Sequence, residues 1–130
     1  MFSFMRHALA IVDSDAASLR ALHALLGPLN ADMLTFDAAN KFMARLVEGT
    51  LPTLACVIVD LALADETGVQ LLKQIRQRNA DVPVVMIANE ADVATAVDAM
   101  RQGATDFIEK SQMDVALPRR VAQFIRDREH

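Results

Sequence analysis

The sequence predicts an α/β protein whose parallel sheet is covered by helices on both faces. Short apolar runs and helical patterns alternate five times along the 130 residues, joined by connections of a few residues. Hydrophobic residues make up 53% of the chain, as expected when strands are buried on both faces. Several apolar runs also end abruptly in a charged residue, as strands do at the rim of such a sheet. The length predicts a single domain over residues 1–130.

The predicted strands are the five apolar runs, and each is followed by a helical pattern. They cover residues 8–12, 33–36, a run that ends at residue 60, 82–88 and 106–109. The second is short and less apolar, which predicts an edge strand. Asp15 or Ser14 is expected to cap the first helix and Asp37 the second. In the fourth helix, Val93, Val97 and Met100 share one apolar face.

Composition excludes several classes of protein. Cys56 is the only cysteine and lies inside the third strand, so the chain forms no internal disulfide and no cysteine metal cluster. A net charge of −4 argues against nucleic-acid binding by this domain itself. No apolar stretch is long enough to cross a membrane, and residues 1–7 are too short for a secretory leader. We therefore expect a cytoplasmic protein without membrane contact.

Charged residues stand at the carboxyl ends of three predicted strands. Asp13 follows the first, Asp60 ends the third and Lys110 follows the fifth, so a doubly wound sheet brings them to one rim. Clustered carboxylates favour a hard divalent cation such as Mg²⁺, and the lysine can neutralise an incoming phosphoryl oxygen. Considered alone, Asp13 could be a helix cap and Lys110 a solvated side chain. Together they favour phosphoryl transfer to the Asp60 carboxylate.

Over residues 8–125 the chain resembles a response-regulator receiver domain. Four blocks carry the resemblance: residues 11–15 (Ile-Val-Asp-Ser-Asp), 59–64 with Gly68, 82–88, and 103–111. The sequence around residues 36–39 and 106–110 is most similar to that of receivers linked to helix-turn-helix output domains. The resemblance implies a three-layer, flavodoxin-like (βα)5 fold with strand order 2-1-3-4-5.

The resemblance also implies roles for individual residues. Asp60 would accept a phosphoryl group from a histidine kinase or phosphotransfer protein, assisted by Lys110. Asp13, Asp60 and the backbone carbonyl of Ala62 would hold Mg²⁺. Ala88 and Phe107 occupy the two switch positions of the family.

Several positions depart from the family pattern. Ser14 replaces the second acid of the metal-binding pair, so Mg²⁺ binding is expected to be weakened. Ala88 replaces a hydroxyl residue that contacts the phosphoryl group, and Ser111 replaces a proline. Leu63 and Ala64 stand where Met-Pro is usual. These changes predict an atypical receiver with weakened phosphorylation.

Three functions follow. One is a regulatory receiver phosphorylated at Asp60, whose only chemistry is its own phosphorylation and dephosphorylation. A second is a pseudo-receiver that binds partners without phosphorylation. The third, a haloacid-type phosphohydrolase, is disfavoured because Ala62 stands where the acid/base carboxylate of that class belongs. A homodimer through the face formed by the fourth helix, fifth strand and fifth helix is also expected. DNA would be contacted only through an output domain outside this sequence.

Overall fold

The computed structural model describes residues 6–129, which form one five-stranded sheet flanked by five helices. The strands are β1 (Ala8–Val12), β2 (Asp32–Phe36), β3 (Leu54–Asp60), β4 (Val84–Ala88) and β5 (Asp106–Glu109). The helices are α1 (Ala16–Leu26), α2 (Ala39–Glu48), α3 (Gly68–Arg78), α4 (Val93–Arg101) and α5 (Met113–Arg128). Short 3-10 turns follow α1 and precede α5. Residues 1–5 and 130 lie outside the described residues. They include most of segment 1–7, whose length was the basis for predicting no secretory leader.

All strand pairings in this sheet are parallel, in the order β2-β1-β3-β4-β5, which confirms the flavodoxin-like topology. β2 lies at an edge, as its sequence indicates, whereas β1 and β4 are buried along their whole length. β4 begins later than predicted, at Val84, because Pro83 has no backbone N–H to donate to the ladder. The prediction that residues 1–130 form a single domain stays a prediction.

Alternation along the strands divides the core into two layers. Leu9 and Ile11 of β1 point to the side covered by α1 and α5, where Leu117 and Phe124 pack. Their neighbours along β1 point to the side covered by α2, α3 and α4. Cys56 is fully buried in the first layer, and burial raises the pKa of its thiol to about 12, so this thiol stays protonated and inert.

One expectation about the helices is corrected by the structure. Asp37 does not cap α2: the N-cap position is Ala38, and the side chain of Asp37 instead forms an ion pair with Lys41 at 2.8 Å. The apolar face of α4 is not part of the core, since Val93 is 79% exposed and the buried residue of that helix is Ala99. Asp15, by contrast, caps α1 by accepting a hydrogen bond from the Ala17 amide, as predicted.

Candidate phosphoacceptor site

The register of the sheet brings the predicted site residues to one rim. Val12 of β1 pairs with Val59 of β3, so the next residues, Asp13 and Asp60, lie side by side at the strand ends. Lys110 directly follows β5 and reaches back across β4 to both carboxylates. Asp13 is 0% exposed and Asp60 5% exposed, so this charge cluster is largely withdrawn from water.

The ammonium group of Lys110 joins the two acids. Its Nζ lies 2.5 Å from Oδ2 of Asp60 and 3.2 Å from Oδ2 of Asp13. The backbone amide of Ala62 donates to Oδ1 of Asp60 at 2.9 Å. The three side chains together carry a net charge of −1 when all are ionised, so one negative charge lacks a partner of opposite sign.

Burial and charge act against each other on the two partners. Burial raises the pKa of Asp60 and outweighs the hydrogen bonds from Lys110 and Ala62 that lower it. For Lys110, burial lowers the pKa, but the hydrogen bond to Asp60 and the charge of Asp13 more than offset it, so its pKa is raised. The two directions have different causes: burial dominates at Asp60, whereas the two neighbouring acids dominate at Lys110.

Sequence reasoning missed one residue of this cluster, Ser18 of α1. Its buried hydroxyl donates to Oδ2 of Asp13 at 2.5 Å, and the amide of Asp15 donates to the other oxygen at 2.9 Å. The residue lies one turn into a helix where an apolar residue would also be buried. A polar residue at this inward-facing position, five residues after an acid, was the available indication.

The second position of the acid pair does not face the cluster. The hydroxyl of Ser14 donates to the backbone carbonyl of Asp37 at 2.7 Å and accepts from the amide of Ala64 at 2.8 Å. Ser14 therefore connects three loops at this rim.

The donor atoms at this rim match a hard cation in kind but are few. Two carboxylates, with a backbone carbonyl such as that of Ala62, are oxygen ligands of the type Mg²⁺ prefers. Between residues 6 and 129 no group of three or more His, Cys, Asp or Glu side chains is placed to bind a metal ion. The residues thus fit Mg²⁺ with a reduced set of anionic ligands.

The two residues predicted to occupy switch positions lie on β4 and β5. Ala88 ends β4 and is 2% exposed, and its methyl group offers no hydrogen-bonding group to the rim. Phe107 of β5 is half-buried and packs against the core layer on the side of α2, α3 and α4.

Gly68 at the start of α3 is required by the close approach of that helix to β3. A Cβ atom at this position would lie 2.3 Å from the carbonyl oxygen of Asp60, a distance that no side chain could adopt. The glycine therefore lets α3 begin directly beside Asp60.

Comparison with known proteins agrees with this geometry. The family model described as "Response regulator receiver domain" matches residues 9–122. The chain belongs to the response regulator receiver family. Receivers of this family are regulatory domains of two-component systems rather than classical enzymes.

Two relatives and one solved structure illustrate which proteins the chain is similar to. The transcriptional regulatory protein FixJ of Bradyrhizobium diazoefficiens is 32% identical over 121 residues, which cover 92% of this chain and 57% of FixJ. The C4-dicarboxylate transport transcriptional regulatory protein DctD of Pseudomonas aeruginosa is 33% identical over 77% of this chain and 21% of its own length. The chain therefore spans about half or less of these two relatives. A response regulator receiver protein from Pseudoalteromonas atlantica superimposes with a TM-score of 0.82 at 30% identity, covering 93% of this chain and 98% of that one.

Proposed function

We propose that this receiver domain accepts a phosphoryl group on Asp60 from a histidine kinase or phosphotransfer protein. The observation that carries the proposal is the contact of the Lys110 ammonium with the Asp60 carboxylate at the end of β3, beside Asp13. A carboxylate held this way is oriented by the Ala62 amide and has a cation ready for the charge of an incoming phosphoryl group.

The transfer exchanges one bond to phosphorus for another. The bond between phosphorus and the donor's imidazole nitrogen breaks while a bond forms between phosphorus and an Asp60 carboxylate oxygen, and the imidazole keeps the electron pair. Lys110 then contacts the phosphoryl oxygens as a point charge. Asp13, Asp60 and the carbonyl of Ala62 would hold Mg²⁺, which when bound supplies further positive charge to the transferred group.

Phosphorylation is proposed to be weakened in this chain. Ser14 offers Mg²⁺ no carboxylate, and its hydroxyl is engaged by two loops. Ala88 offers no hydroxyl to a phosphoryl oxygen. These two features also favour the second candidate, a domain that binds its partner without phosphorylation. The third candidate, a phosphohydrolase, is opposed by the alanine at position 62.

Incubation with acetyl phosphate and Mg²⁺ tests the proposal. Intact mass spectrometry should show one added phosphoryl group in a fraction of the protein, mapped by peptide analysis to Asp60. Asp60→Asn is the matched control because it keeps the shape of the side chain and removes the nucleophile. Absence of the added mass from the wild-type protein, or its presence in the control, would favour the phosphorylation-independent alternative.

A second titration tests the weakened site. We expect the double variant Ser14→Asp, Ala88→Thr to bind Mg²⁺ and beryllofluoride more tightly than the wild type. The gain for Mg²⁺ should be about tenfold, because desolvation offsets most of the roughly 4 kcal/mol that a charge at close range provides near a protein surface. Isothermal titration calorimetry at one ionic strength measures both affinities. Equal affinities would mean that other groups compensate for the missing acid and hydroxyl.

The partners of this domain are part of the same proposal. Because the relatives FixJ and DctD are transcriptional regulatory proteins, DNA would be reached through an output domain and not through this acidic receiver. A second copy of the chain would bind to the face formed by α4, β5 and α5. On that face Arg120 pairs with Asp106 of its own chain at 3.1 Å, whereas its neighbour Arg119 is exposed and would pair with a partner's acid.

A further inference from the structure

The loop that follows the phosphoacceptor, residues 61–67, is fastened at its base and at its tip. At the base, the amide of Gly68 donates to the carbonyl of Leu61 at 2.8 Å, and Ala62 forms an isolated antiparallel bridge with Thr67. At the tip, Ala64 donates to the hydroxyl of Ser14, which belongs to the loop between β1 and α1. The loop is therefore held both at its base and at its tip.

The same loop is also attached to the start of α2. The carboxylate of Asp65 accepts from the amides of Ala39 and Asn40, both at 2.9 Å. It therefore supplies the cap that Asp37 does not, since the first amides of a helix have no partner within the helix. Burial acts upward on the pKa of Asp65, but these backbone hydrogen bonds lower it overall, so the carboxylate stays ionised at neutral pH.

We propose that Ser14 is a positioning residue, whose hydroxyl together with the Asp65 carboxylate fixes the 61–67 loop in place without a metal ion. Ser14 acts as a donor to the carbonyl of Asp37 and as an acceptor from Ala64, so one side chain spans three loops of the rim. An aspartate there would lose the donor function, because an ionised carboxylate only accepts hydrogen bonds. The serine is thus a functional substitution in this chain: it exchanges a metal-binding acid for a direct link between loops.

This inference deepens the proposed function and rests on it in one respect: the loop matters because it carries Ala62, whose amide orients Asp60. If Mg²⁺ is bound by Asp13 and the carbonyl of Ala62, it connects the same two loops that Ser14 connects directly. The wild-type loop should then have the same order with and without Mg²⁺. Removal of the hydroxyl should make loop order depend on the cation.

Amide hydrogen exchange followed by NMR tests this on the unphosphorylated protein, so the outcome is independent of whether Asp60 accepts a phosphoryl group. In the wild type, exchange at Ala64, Ala39 and Asn40 should be the same in EDTA and in Mg²⁺. In Ser14→Ala, the Ala64 amide should exchange about fivefold to tenfold faster in EDTA, the factor expected for loss of one hydrogen bond. Mg²⁺ should restore part of the protection in this variant only.

Two further variants separate positioning from general destabilisation. Ser14→Thr keeps a hydroxyl and should retain the slow exchange of Ala64. Ser111→Ala is the matched control, since it removes the hydroxyl of an exposed serine outside the 61–67 loop, and it should leave the loop unchanged. The proposal is overturned if Ala64 exchanges at the same rate in Ser14→Ala and wild type. It is equally overturned if EDTA alone speeds exchange of the wild-type loop, an outcome that can be read even if Ser14→Ala does not fold.

Discussion

The helices that precede and follow β4 in the chain, α3 and α4, differ in how much of their surface is buried. α3, which follows β3, buries Leu71, Leu72 and Ile75 and has a complete capping box at Thr67. α4, which follows β4, buries only Ala99. Its residue Val93, at the start nearest the rim, is 79% exposed. One side of the site is thus built into the core, and the other lies on the surface.

The difference continues in the loops. Those after β1, β2 and β3 are joined to one another by the side chains of Ser14 and Asp65. Just past the far end of α4, Arg76 of α3 donates to the carbonyl of Gly103 at 2.8 Å. Because segments with few buried apolar contacts open at lower free energy, a change at the rim should move α4 before it moves α3.

The largest effect that this comparison predicts is on stability. Leu72→Ala should lower the free energy of unfolding by about 2–5 kcal/mol, as removal of a fully buried leucine does. Met100→Ala on α4 should change it by less than about 0.5 kcal/mol, since that side chain is 46% exposed. Urea unfolding curves measure both.

Leu72→Met is the matched control for the first variant, and it should cost less than about 1.5 kcal/mol because the side-chain volume is nearly kept. If Met100→Ala is as destabilising as Leu72→Ala, the apolar face of α4 is covered in solution and the two helices do not differ.

Lys110 makes the one charged contact that we find, among residues 6–129, between the β5 end and the buried acids of the β1–β3 side. Lys110→Met should lower the free energy of unfolding by about 2 kcal/mol at neutral pH, less than the roughly 3–5 kcal/mol for a fully buried pair, since Lys110 is 11% exposed. The loss should shrink toward acid pH, because the buried Asp60, whose pKa is already raised, can take up a proton when the lysine is absent. Unfolding curves at the two pH values measure this, with exposed Lys73→Met as control. An equal loss at both pH values would mean that packing of the lysine stem, not charge, holds the two sides together.

The strand positions, and the meeting of Asp13, Asp60 and Lys110 at one rim, were predictable from short stretches of sequence. Each buried strand is a continuous apolar run, and parallel strands place their carboxyl ends at one rim, so Asp13, Asp60 and Lys110 had to meet if the sheet was doubly wound. The strand order itself came from the resemblance to receivers, because no pattern in a single strand specifies its neighbours. The structure confirms that order.

What could not be predicted depends on contacts between distant residues. Asp37 stands where a helix cap is expected, yet the cap of α2 comes from Asp65, 26 residues away for the Ala39 bond. The spacing of Val93, Val97 and Met100 identifies a helix face but not what covers it. Ser14 could be recognised as a missing acid, whereas its two hydrogen bonds arise only when three loops come together.

Asp60→Asn should stabilise the folded protein, by about 1 kcal/mol at neutral pH, because it leaves Lys110 balanced by a single acid instead of two. The pKa of Asp60 is raised above its ordinary value of 3.8, so ionisation of this group costs the folded state. The wild type should therefore lose stability as the pH rises from that value through the raised pKa, and the variant should lack this loss. The difference should vanish in acid. Asp98→Asn, at an exposed position on α4, is the control for loss of one surface charge and should change the stability at neutral pH by less than about 0.5 kcal/mol. If Asp60→Asn is destabilising at neutral pH, the ion pair with Lys110 outweighs the burial of the second charge.

Substitutions on the exposed face of α4 should affect the stability of the fold least and self-association most. Val97 is 41% exposed, so Val97→Lys should change the free energy of unfolding by less than about 0.5 kcal/mol. If the α4-β5-α5 face binds a second copy, the same variant should weaken self-association, because a buried lysine without a partner is costly in an apolar contact. Arg119→Glu should act in the same direction by placing an acid opposite the partner's acids.

Sedimentation velocity over a range of concentrations measures the dimer, and Val47→Lys on α2, an equally apolar and 55% exposed position, serves as the control. Unchanged association in both variants, or equal weakening in the control, would remove this face as the dimer interface, so that the exposure of α4 would need another explanation.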